Sequence, residues 1–99
     1  MLKFSLFLLL LNVSISYSQV NYTAVITEPQ IGLQENANNL IKVVDDINKR
    51  ENVKHVIVLG NITANGKFDE FIWAQEILDG LNVPYFVVGG EKDYRQSRR

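Results

Sequence analysis

Three short polar stretches could do chemistry: Glu28-Pro29-Gln30, Gly60-Asn61 and Gly90-Glu91-Lys92-Asp93. Each follows a β-favouring apolar run, so each reads as a loop at the carboxyl end of a strand. In open α/β sheets those loops carry the chemistry. Their side chains are hard oxygen donors, carboxylates and amides, with one cation. A two-metal hydrolase is assembled from such loops when they offer oxygen and imidazole ligands and one carboxylate that bridges both ions. The chain has one histidine, His55. It begins a strand at the end opposite the loops and reads as structural.

The elements that position these loops follow from periodicity. The run 56–59 (Val-Ile-Val-Leu) is too short for a helix and apolar on both alternations, as expected of a strand in a parallel sheet. Residues 21–27 and 85–88 form two further strands. Pro29 cannot continue a ladder, and Asn65-Gly66 closes a turn. Between the strands the period lengthens. Ala37, Leu40, Ile41, Val44 and Ile47 make one stripe of a helix over 34–50. Phe68, Phe71, Ala74, Ile77, Leu78 and Leu81 make the stripe of a second helix over 68–81, with Trp73 packing beside it. Gly80 is placed to end that helix in a left-handed conformation. The order strand–helix–strand–helix–strand predicts an α/β fold, a βαβαβ parallel sheet with right-handed crossovers.

With these tips in place, the chain resembles the amino-terminal half of the calcineurin-like metallophosphoesterases. The resemblance runs from about residue 22 to residue 94 and rests on two stretches. They are Val56-Ile57-Val58-Leu59-Gly60-Asn61-Ile62-Thr63-Ala64-Asn65-Gly66 and Val83-Pro84-Tyr85-Phe86-Val87-Val88-Gly89-Gly90-Glu91-Lys92-Asp93. It implies half of a four-layer αββα sandwich, hydrolysis of phosphoesters and a pair of divalent metals (Mn, Fe or Zn). The family's tips read Asp-x-His, Gly-Asp and Gly-Asn-His-Asp. Carried over residue by residue, the metal-ligand positions are Glu28, Gln30, Asn61 and Glu91. Lys92 stands at the position of the histidine that serves the leaving group, and Asp93 is matched. Gln30 and Asn61 replace charged or imidazole ligands with neutral amides, and Lys92 brings a cation. The family's later Gly-His-x-His motif has no counterpart before Arg99. The expectation is a truncated domain at 19–99 that binds no metal and is inactive as it stands. The alternatives are a non-catalytic secreted binding or structural module, or a truncated gene fragment.

Composition narrows the rest. There is no cysteine, hence no disulfide or thiolate site, and Lys+Arg 10 against Asp+Glu 11 gives no basic surface for nucleic acid. Lys3, the apolar run over 4–11 and small residues at Ser16 and Ser18 read as a secretory signal peptide, 1–18, cut before Gln19. The expected location is secreted or periplasmic, with no membrane association after cleavage. Arg95, Arg98 and Arg99 read as a solvated tail. Asn21-Tyr22-Thr23 and Asn61-Ile62-Thr63 match the N-glycosylation triplet. Crossovers that advance in one direction put both helices on one face. Strands apolar on both faces then call for a partner domain, or self-association, on the other.

Overall fold

The computed structural model describes residues 20–94; the predicted signal segment and Arg95, Arg98 and Arg99 lie outside them. The order is β1 (Tyr22–Thr27), α1 (Gln34–Asn48), β2 (Val53–Gly60), α2 (Phe68–Leu78), β3 (Tyr85–Gly89) and a 3-10 turn at Glu91–Tyr94. The sheet is parallel and three-stranded in the order β1-β2-β3. The chain is thus α/β, with two βαβ units advancing in one direction.

Alternation along β2 decides where the core sits. Val56 and Val58 are fully buried and share one cluster with Ala37, Leu40 and Ile47 of α1 and Ala74 and Leu78 of α2. Both helices therefore cover the same face. Burying a side chain such as Val or Leu contributes about 1.5–3 kcal/mol, so this one-sided cluster supplies most of the stabilisation.

The other face is apolar and open. Its cross-strand rows are Val25–Ile57–Phe86 and Thr27–Leu59–Val88. Phe86 is 59% and Val88 56% exposed. A polar row, Thr23–His55, lies at the amino end. His55 is therefore far along β2 from the tips.

Two details differ from the periodic reading. Phe68 is 79% exposed and leaves the α2 stripe, whereas Glu70 in the same turn is buried against the preceding loop. Gly80 does not take a left-handed conformation; the positive-φ glycines are Gly60 and Gly66. Instead α2 ends at Leu78 with Asp79 still in right-handed geometry, and Gly80 N–H donates to Ile77 O at 3.1 Å. The turn is tied from α1, where Asn48 Nδ2 donates to Gly80 O and Asn48 Oδ1 accepts Asn82 N–H, both at 2.9 Å.

Candidate functional site

The ladder does not stop where β1 and β2 end. Glu28 N–H donates to Leu59 O at 2.7 Å, Gln30 N–H to Asn61 O at 2.9 Å and Ile31 N–H to Ile62 O at 2.8 Å. The first tip is thus stitched along the second. Keeping these bonds around Pro29 puts Glu28 at φ 48 and Gln30 at φ 46, left-handed conformations that cost non-glycine residues free energy. Asn36 Nδ2 supports the turn by donating to Gln30 O at 2.9 Å. Ile31, just beyond, is fully buried and anchors the tip to the core.

The third tip lies against the second. A Cβ at Gly90 would fall 2.6 Å from Asn61 Oδ1 and 2.8 Å from Gly60 C, so only glycine allows this approach. Asn61 Oδ1 accepts Lys92 N–H at 2.9 Å. Asp93 completes the join. Its Oδ2 accepts Ile62 N–H at 3.0 Å and Gly90 N–H at 2.8 Å, and its Oδ1 accepts Thr63 N–H and the Thr63 hydroxyl, both at 2.8 Å. Burial pushes the Asp93 carboxyl up. The donors on Ile62, Thr63 and Gly90 outweigh that and hold it below the usual carboxylate range.

Glu70, from the first turn of α2, closes the loop after Thr63. Its carboxylate accepts Asn65 N–H at 2.9 Å, Asn65 Nδ2 at 3.0 Å and Lys67 N–H at 3.3 Å. Burial raises this carboxyl too, and the Asn65 and Lys67 donors, with the Lys67 charge, bring it below its ordinary value.

The structure therefore brings Glu28, Gln30, Asn61, Glu91 and Lys92 to one sheet edge, but the polar atoms it joins are joined to each other. The donor set does not fit a pair of dications. Gln30 and Asn61 are neutral, the Asn61 oxygen is engaged by backbone, and Glu91 is exposed. Among the described residues, no three His, Cys, Asp or Glu are grouped to hold a metal ion. Asp93, Thr63 and Glu70 are the residues on which the arrangement depends. In the sequence Asp93 stood out only as the end of the Gly90-Glu91-Lys92-Asp93 tip, and its role as a multiple acceptor belongs to the tertiary structure.

No protein-family model and no curated protein matches the chain.

The two glycosylation triplets differ in setting. Asn21 is exposed at the entrance to β1, whereas the Asn61 triplet is built into the junction, with Thr63 fully buried and its hydroxyl engaged.

Proposed function

We propose that this chain is a non-catalytic module on a calcineurin-like phosphoesterase scaffold, secreted or periplasmic, whose strand tips hold one another instead of metal. The observation that carries the reading is the pairing of Asn61 Oδ1 with Lys92 N–H beside a saturated Asp93 carboxylate. A bridging ligand must carry negative charge to hold two dications a few ångströms apart, and an amide carries none. A lysine at the leaving-group position adds repulsion toward any cation placed there. The working surface in this reading is the open sheet face, which a partner domain or a second copy covers.

Metal analysis and a phosphatase assay test the proposal together. Purified protein is expected to hold no stoichiometric manganese, iron or zinc and not to turn over p-nitrophenyl phosphate. Its denaturation midpoint should be the same with and without chelator. Bound metal together with turnover that Asn61→Ala abolishes overturns the reading. The location has its own check: intact mass of the exported protein should begin at Gln19, and retention of residues 1–11 would reject it.

A further inference from the structure

We propose that Asn65-Gly66 is a one-way chemical record of junction opening, an asparagine kept unreactive while the tips are closed and converted to aspartate or isoaspartate once they part. The inference stands on the geometry of this turn and does not depend on the non-catalytic reading.

The chemistry needs only water. The Gly66 backbone nitrogen attacks Asn65 Cγ, its proton passing to a solvent base. The new N–Cγ bond forms as the Cγ–Nδ2 bond breaks, and the side-chain nitrogen leaves as ammonia. The resulting cyclic imide takes up one water and opens on either side, giving aspartate or isoaspartate. This is the chain's one Asn-Gly pair. With no Cβ on Gly66, nothing shields the attacking nitrogen.

In the closed structure both reacting groups are held. Gly66 N–H donates to Thr63 Oγ1 at 2.8 Å in a buried bond. Asn65 is held by Glu70 through its side-chain nitrogen at 3.0 Å and its backbone N–H at 2.9 Å. The same Thr63 hydroxyl that holds Gly66 donates to Asp93 Oδ1. Release of the third tip therefore also loosens the nucleophile.

Return is blocked after reaction. Aspartate at 65 loses the donor to Glu70 and puts a second carboxylate where Nδ2 lay 3.0 Å from Glu70 Oε2. Isoaspartate lengthens the backbone at 65 and so displaces Gly66, which is closely packed: a Cβ on Gly66 would lie 2.5 Å from Lys92 O.

Incubation of the purified protein at neutral pH, followed by intact mass and isoaspartate mapping, tests this. Asn65 in the native protein is expected to convert at least roughly tenfold more slowly than in denaturant, the factor given by about 1.4 kcal/mol of opening free energy. Equal rates overturn the proposal. Asp93→Asn should accelerate native-state conversion, and Thr63→Ser, which keeps the hydroxyl, should not. Leu40→Ala, destabilising but remote, is the reference. Acceleration by Leu40→Ala equal to that by Asp93→Asn at matched stability would mean that the turn is not specifically caged and would also overturn it. Should Asp93→Asn fail to fold, the native-to-denatured comparison on the unaltered chain still decides.

Discussion

Asn61 and Lys92 are joined across the sheet edge, side-chain oxygen to backbone N–H, at 2.9 Å. An aspartate at 61 keeps the acceptor. Asn61→Asp should therefore leave stability within about 1 kcal/mol, the scale of one hydrogen bond, while Asn61→Ala strands a part-buried N–H and should cost about 1–3 kcal/mol. Urea denaturation measures both. An unaffected Asn61→Ala would show that the pair contributes nothing to holding the third tip.

Asp93 and Glu70 make stability depend on acid. Each carboxyl is held below its ordinary value in the folded state. Such groups stabilise fully above their unfolded values, about 4, and that stability is lost as pH falls through the lower folded values. Stability should be flat from neutral pH to about 5 and then decline. Asp93→Asn should cost about 3 kcal/mol at neutral pH, because it sets an amide NH2 among N–H donors, and should flatten the acid decline. A decline equally steep in Asp93→Asn would place the acid sensitivity elsewhere.

Glu28 and Gln30 store strain at φ 48 and φ 46. Glycine relieves a left-handed residue at some cost in chain entropy, so Glu28→Gly and Gln30→Gly should be neutral to about 1 kcal/mol stabilising. Gln30→Val should be clearly destabilising. Thermal melts rank them, and a large loss in either glycine variant would contradict the backbone geometry.

How far the sequence reaches is visible in particular residues. The stripe Ala37, Leu40, Val44 and Ile47 is local and periodic, and all four are buried. The three strands and the parallel order follow from similar local patterns. Phe68 obeys the same period yet is exposed, because a stripe names a helix face and not what packs against each position on it. Gly80 looked like a helix cap, but its geometry is decided by Asn48 on another helix. Asp93 bonds residues about thirty positions earlier, and no spacing rule connects an acceptor to donors that distant.

The open face should drive association. Val25, Phe86 and Val88 are more than half exposed, and a contiguous apolar face of this kind marks a contact surface. Sedimentation should show concentration-dependent self-association that Phe86→Lys with Val88→Glu abolishes without changing the circular dichroism. A monomer at every concentration, indifferent to these substitutions, would remove the open face from the account.

The bonds of Asp93 reach back to Ile62 and Thr63, which leave the ribosome well before it does. Folding during synthesis runs from the amino end. The β1–α1–β2 unit can form as soon as Gly60 has emerged, while the N–H groups of Ile62 and Thr63 wait for an acceptor not yet made. The loop after β2 is therefore the last part of the described fold to set. A chain ending before residue 93 would carry all three strands and leave their edge unfastened.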